Sequence, residues 1–298
     1  PLDKEELRIA VKKVTGGRAS TELVEKLKPG MHIEVMSPMG NFTTAIDPTQ
    51  ARHFVAFAAG SGITPILSIL KTVLRSEPKS RFTLFYGNTD QDRIIFRKRL
   101  DELKQQHVDR LSVHHILTMG KDEDMLFNGR ITKEKAVGLL KRFVTDPLHK
   151  EFFICGPDQM MVNVSEALEA NGVEKKHIHI ELFSSPVAAE AKKPGAPVEP
   201  GAFAGKASVK VIMDGREHIL QMDASGDAVL DVALDAGLDV PYACKGAVCC
   251  TCKARVVEGQ VEMAMNYALT DEEVADGYVL TCQTHPRSAN VTIDYDQH

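Results

Sequence analysis

Four of the chain's six cysteines fall within nine residues of the stretch VPYACKGAVCCTCKARVVEG. Cys244, Cys249 and Cys252 are spaced C-x4-C-x2-C, and Cys282 follows after 29 intervening residues. Four thiolates at this spacing suit a 2Fe–2S cluster, with one loop presenting three sulfurs and a second segment, YVLTCQTHP, presenting the fourth. Gly246, Ala247 and Thr251 are small enough to let the loop wrap tightly and aim N–H groups at the cluster. Structural zinc recruits two close ligand pairs, whereas Cys282 stands apart, and disulfides need an oxidising compartment that nothing in the sequence implies. Cys250 is the extra sulfur. It is read as a small buried hydrophobe and not as a ligand.

A one-electron carrier needs a donor, and a second set of residues points to one. ARHFVAFAAGSGITPILSILKTVLRSEP reads as a buried strand, a glycine turn and a helix. Gly60 and Gly62 would let backbone approach a phosphate at the helix N-terminus. By itself a G-x-G turn is weak evidence, because such a turn also serves as plain structure. The other strand-like runs are RFTLFYGNTD, LSVHHILT, KEFFICGP and HIHIELF. Between them lie the helical stretches DRIIFRKRLDELKQQH, TKEKAVGLLKRFV and PDQMMVNVSEALEANGV. This alternation predicts a doubly wound parallel sheet, with the turns AAGSGITP, YGN and CGPDQM on one edge.

The cysteine segment has its own frame. SVKVIMDGREHILQM predicts a hairpin turning at Asp214-Gly215, and GDAVLDVALDAGLDV a helix stopping at Gly237. CKARVVEGQVEM and ANVTIDYD add strands, for a small α+β domain of β-grasp type. Asp227, Asp231, Asp235 and Asp239 recur at four-residue intervals on the expected helix, as either a solvated face or a docking stripe.

The whole chain has 298 residues and a net charge of −5. Residues 206–298 carry 15 acids and 7 bases, so the acidity is concentrated in the cysteine domain. This balance argues against nucleic-acid binding, and no run of eighteen apolar residues supports a membrane span. With no signal-peptide pattern, a cytoplasmic location is expected. Residues 184–205, SSPVAAEAKKPGAPVEPGAFAG, read as a flexible linker spanning about 25 Å on average.

GSGITP together with CGP resembles the ferredoxin–NADP reductase superfamily. The order of reductase then cluster domain is similar to the reductase components of multicomponent bacterial oxygenases. Within these, the segment from Cys244 to Pro286 looks most like the reductase subunits of phenylacetyl-CoA epoxidases. The resemblance implies that Gly60, Gly62, Thr64 and Pro65 hold the pyrophosphate of NADPH, with NADH the alternative. It implies that Cys155, Gly156 and Pro157 lie beside the nicotinamide, with Cys155 shaping the pocket and forming no covalent intermediate. Thr89 stands where many relatives have Arg after YGN, so Arg93 is a candidate 2′-phosphate partner. The resemblance also implies FAD, which takes electrons in a pair and releases them singly. Gly17, Arg18, Ala19 and Ser20 are similar to the flavin pyrophosphate loop, although Ser20 also reads as an ordinary N-cap. The Arg-x-Tyr-Ser/Thr segment that touches the flavin ring in the family is absent.

The expected architecture is therefore multidomain. Residues 1–50 are the C-terminal part of a flavin-binding antiparallel β-barrel, 51–183 the nucleotide domain, 184–205 the linker and 206–298 the cluster domain. The intact polypeptide is expected to extend about 50 residues upstream, enough for the remaining strands of a small barrel. The chain as given is expected to hold FAD weakly while carrying the cluster. Two functions fit: a reductase delivering electrons to an oxygenase component, or an electron-carrier module that only senses nucleotide.

Overall fold

The fold was obtained as a computed structural model, which describes residues 8–13, 16–35, 40–183, 203 and 205–297. The chain divides into two compact units, one holding Phe42–Glu181 and the other Leu182–His298. The expected linker lies almost wholly outside the described residues, as does the start of the segment EELRIAVKKV.

In the first unit, five strands form a parallel sheet: β1 (His53–Ala59), β2 (Arg81–Asn88), β3 (Leu111–Leu117), β4 (Glu151–Cys155) and β5 (Ile178–Glu181). Their order is β3-β2-β1-β4-β5. Strand β1 is central, and six of its seven residues are buried, as a strand covered on both faces requires. Phe54, Ala56 and Ala58 pack with α2 (Ile63–Ser76), which carries Ile66, Leu70 and Val73. On the alternate face Phe57 meets Phe85, with ring centroids 4.8 Å apart, and Phe85 meets Phe143 of α4 (Lys133–Phe143). Helices α3 (Arg97–Gln106) and α5 (Asp158–Ala170) complete the cover. Each strand and helix grows from its predicted segment, and Thr132 caps α4 by accepting from Lys135 N–H.

Before His53 the picture differs from the expected half-barrel. Among the described residues there, the one regular element is α1 (Arg18–Glu25), with no strand in 8–13 or 31–35. A strand exists only through a hydrogen-bonded neighbour, and these segments find none among the described residues. From Phe42 the chain does dock on the sheet, with the Phe42 ring edge-on to Phe153 at 5.4 Å.

In the second unit the hairpin of β6 (Lys206–Met213) and β7 (Arg216–Asp223) turns at Asp214 and Gly215, both with positive φ. The sheet runs β10-β8-β12-β6-β7, using β8 (Lys253–Glu258), β10 (Tyr278–Leu280) and β12 (Asn290–Asp294). A small ladder pairs β9 (Val261–Met263) with β11 (Thr284–Pro286). Helix α6 (Val229–Asp235) lays Val229, Leu230 and Ala233 on the sheet, and α7 (Asp271–Ala275) is capped by a Thr270–Glu273 box. Helix α6 is shorter than the acidic pattern needs. Asp227 precedes its cap and Asp239 follows the Gly237 stop, so only Asp231 and Asp235 share a helix. Asp231 is moreover paired with Lys245 at 2.7 Å, so no four-residue stripe forms.

One buried charge ties the strap before β1 to the first unit. The Glu77 carboxylate has no exposed surface and accepts from both the Arg52 guanidinium and Ser80 Oγ, and from Asp47 N–H at 3.1 Å. Burial pushes its pKa up, but these donors outweigh burial and hold it below the ordinary 4.5. Stability from this group is therefore present above about pH 4.5 and lost as pH falls through the lowered folded value. Glu77→Gln should cost about 2–3 kcal/mol at neutral pH, because Arg52 loses its buried counter-ion. Denaturant unfolding at pH 7 and pH 4 checks this, with the difference between variant and parent shrinking at the lower pH.

Candidate functional site

Two loops meet where the first sheet changes direction. Strand β1 is flanked by β2 on one side and β4 on the other, and Ala58 pairs with Cys155 in register. Beyond β1, Gly60 adopts φ +53, a backbone region that favours glycine, and its carbonyl accepts from the buried Tyr86 hydroxyl at 3.0 Å. A Cβ on Gly62 would stand 2.1 Å from the Cys155 carbonyl oxygen and 2.9 Å from Gly156 N. A Cβ on Gly156 would stand 3.1 Å from Ala59 N. Glycine therefore lets the turns after β1 and β4 interlock at the topological switch point, the crevice where such sheets bind nucleotides. Thr64 and Pro65 lie half-buried in the first turn of α2, where proline forfeits no intrahelical bond. Gly156 leads into α5 through Pro157, which occupies the N-cap position.

The Cys155 thiol is buried, and burial, aided by the Glu181 carboxylate, pushes its pKa up to about 12. It is a neutral thiol at physiological pH, suited to shaping a pocket and not to nucleophilic attack.

Further along the same sheet edge, beyond β2 and β3, a cavity of about 330 Å³ is lined by Gln91, His115, Lys121, Asp122 and Asn128. Within its lining, His115 Nδ1 is buried without a hydrogen-bond partner among the described residues. Burial lowers the His115 pKa, leaving the ring neutral. Arg93, the cation expected from sequence, is largely exposed and pairs with Asp90 at 3.3 Å. Lys121 is the lysine among the residues that line the cavity. The sequence pattern held no signal for it, since a loop lysine after a strand is commonplace.

The cysteine loop gathers its sulfurs in two pairs. Cys244 and Cys249 approach to 3.2 Å, and Cys252 and Cys282 share a hydrogen bond between their sulfurs. Lys245 and Ala247 adopt φ +51 and +61, the strained turns that fold three cysteines onto one side. N–H groups of Gly246 and Val248 face the Cys244 sulfur, and that of Ala247 faces Cys282. Sharing a hydrogen bond within each pair lowers the pKa of one sulfur and raises that of the other. Among the described residues, no group of three His, Cys, Asp or Glu converges as a single metal ion would need. Two thiol pairs with N–H donors around them supply the four thiolates that a 2Fe–2S cluster would take. Cys250 turns away, its sulfur contacting the Ala268 carbonyl at 3.7 Å.

A third element is α1, whose N-terminus puts its positive dipole end at Gly17, Arg18, Ala19 and Ser20. Gly17 is the N-cap position, so Ser20 lies inside the helix and is not its cap.

Comparison with known proteins agrees with both units. Residues 57–166 match the oxidoreductase NAD-binding domain, and residues 211–287 match the 2Fe-2S iron-sulfur cluster binding domain. The chain is 40% identical to a subunit of 1,2-phenylacetyl-CoA epoxidase from Escherichia coli K12, over 98% of this chain and 80% of the relative. It is 34% identical to the ferredoxin reductase component of 3-ketosteroid-9-alpha-monooxygenase from Mycolicibacterium smegmatis, over 100% and 80% of the two chains. An intact type IV self-sufficient cytochrome P450 monooxygenase shares the fold, with a TM-score of 0.62 over 92% of this chain and 31% of that one. At 21% identity that likeness concerns fold alone.

Fold and site thus define an oxidoreductase built from a nucleotide-binding unit and an iron–sulfur unit. The chain belongs to the family of reductase components of oxygenase systems. The matched domains bring two of the cofactors expected from the sequence, a 2Fe–2S cluster and a nicotinamide dinucleotide.

The interlocked loops generate a sharp contrast between two glycines. Gly62→Ala should cost about 2–3 kcal/mol, because the new methyl meets backbone that cannot step aside. It should also abolish nucleotide binding. Gly87→Ala, whose methyl would meet nothing nearer than 3.5 Å, should be tolerated. Unfolding curves and NADPH titrations of the two variants read both effects.

Proposed function

We propose that this protein takes a hydride from NADPH and passes the electrons, one at a time, to a cytoplasmic oxygenase, with a phenylacetyl-CoA epoxidase in phenylacetate degradation as acceptor. The observation that carries the reading is the presence, in one chain, of interlocked glycine loops at a sheet switch point and four cysteines in two pairs. The identity to an epoxidase component supports the acceptor. No helix among the described residues is long and apolar enough to cross a membrane.

In this reading Gly60, Gly62, Thr64 and Pro65 seat the dinucleotide pyrophosphate on the α2 N-terminus. Cys155, Gly156 and Pro157 wall the nicotinamide side, where the neutral thiol excludes water without competing for the hydride. Gly17, Arg18, Ala19 and Ser20 receive the flavin pyrophosphate. FAD, when bound, accepts electrons as a pair and releases them singly, which the one-electron cluster requires. Cys244, Cys249, Cys252 and Cys282 hold the two irons, and the N–H groups of Gly246, Ala247 and Val248 steady the sulfur charge. Lys121 meets the 2′-phosphate that distinguishes NADPH from NADH.

The test is anaerobic mixing of FAD-loaded holoprotein with NADPH while following the cluster's visible absorbance. Rapid bleaching is expected; a cluster that stays oxidised would sink the proposal. Lys121→Gln should raise the KM for NADPH about tenfold, the worth of one ion contact to phosphate, and leave that for NADH unchanged.

The ligand set has its own check. Serine at Cys244, Cys249, Cys252 or Cys282 should lower bound iron, whereas Cys250→Ser should keep about two irons per chain. Iron loss in Cys250→Ser equal to the others would refute the assignment.

A further inference from the structure

Gln283 follows the last cysteine and is buried, with 9% of its surface exposed. Its backbone is fixed: the carbonyl accepts from Ala264 N–H at 2.8 Å, beside the β9–β11 ladder. Its side chain reaches back to the cysteine loop. Nε2 lies 3.3 Å from the Lys245 carbonyl oxygen and 3.9 Å from Cys282 Sγ, the latter near the long end for a sulfur acceptor.

A buried carboxamide is costly unless its polar atoms are matched, so an apolar residue of the same length would be the cheaper filling for this position. Both neighbours are acceptors, so only the N–H₂ end of the amide can face them, and its two hydrogens serve the two acceptors. Lys245 is the residue in need of restraint, because it holds the left-handed backbone turn between Cys244 and Gly246. Its ammonium group is tied to Asp231 at 2.7 Å, and its carbonyl is what Gln283 grips. A second clamp works from the same segment. Tyr295 Oη donates to Thr281 Oγ1 at 2.8 Å, and Thr281 Oγ1 donates to the Cys252 carbonyl at 3.0 Å.

We propose that Gln283 is a positioning residue for the cluster: one amide hydrogen holds the Lys245 carbonyl, the other faces the Cys282 sulfur and raises the reduction potential. This rests on the ligand assignment above. Taking up one electron adds one negative charge to the cluster, shared by the thiolate sulfurs. An N–H donor at a sulfur favours that more negative state, so reduction becomes easier.

The experiment is a dithionite titration of the holoprotein and its Gln283→Met variant, followed by visible absorbance and EPR. Methionine keeps the length and removes both donors. The variant should retain about two irons per chain, and its reduction equilibrium constant should fall up to about tenfold, or about 59 mV for one electron. Gln283→Lys restores an N–H donor and should return the midpoint to the parent value or above. An iron-replete methionine variant with an unchanged midpoint overturns the proposal. If the methionine variant loses iron, pulsed EPR of the reduced parent protein, labelled with nitrogen-15 in its glutamine amides, decides. A resolved nitrogen coupling supports the contact, and its absence overturns it. Failure of the underlying assignment looks different: iron would persist in the Cys282→Ser protein whatever occupies position 283.

Discussion

Both units of this molecule depend on backbone standing where a side chain would normally intrude. In the first, Gly62 lets the turn after β1 touch the Cys155 carbonyl, and Gly156 lets the turn after β4 return the contact. In the second, Lys245 and Ala247 accept left-handed geometry so that three sulfurs come to one side. These conformations are unfavourable alone and persist because packed elements around them leave no alternative. The five-strand sheets supply that rigidity. Amide N–H groups fixed in advance need no reorganisation when a charged ligand arrives.

The cysteines show how far environment outweighs residue type. Cys155 is sealed between a sheet and a carboxylate, which keeps it protonated. In the pairs Cys244–Cys249 and Cys252–Cys282, a shared hydrogen bond favours ionisation of one sulfur and protonation of the other. Metal binds thiolate and not thiol, so a metal loaded onto such a pair would displace its remaining proton. Cys250, between two of them in sequence, faces a backbone carbonyl instead. A shift of one position along the chain separates a packing residue from a ligand candidate.

Much of this was legible from local pattern. Continuous apolar runs marked β1, β2 and β4, the Asp214-Gly215 pair marked a hairpin, and the cysteine spacing marked the loop and its distant partner. What escaped was whatever depends on residues far apart in sequence. The segments read as barrel strands lack ladders among the described residues, because pairing is supplied by a neighbour and not by propensity. The acidic repeat was counted past the end of α6, since a period does not reveal where a helix stops. Gln283, Thr281 and Tyr295 carry no motif, and their meaning lies in contacts with Lys245 and Cys252 across about thirty positions or more.

The two sheets are completed in opposite temporal order. The central strand of the first, β1, is also its earliest in sequence, so later strands add outward onto an existing template. In the second sheet β12 lies in the middle yet comes last, bridging β8 and β6. During synthesis, β8 and the β6–β7 hairpin therefore lack the strand that joins them until Asn290–Asp294 has left the ribosome. Tyr295, which steadies the Cys252 carbonyl through Thr281, arrives later still. The first sheet can form around β1 while translation continues, whereas the second closes only once β12 has emerged.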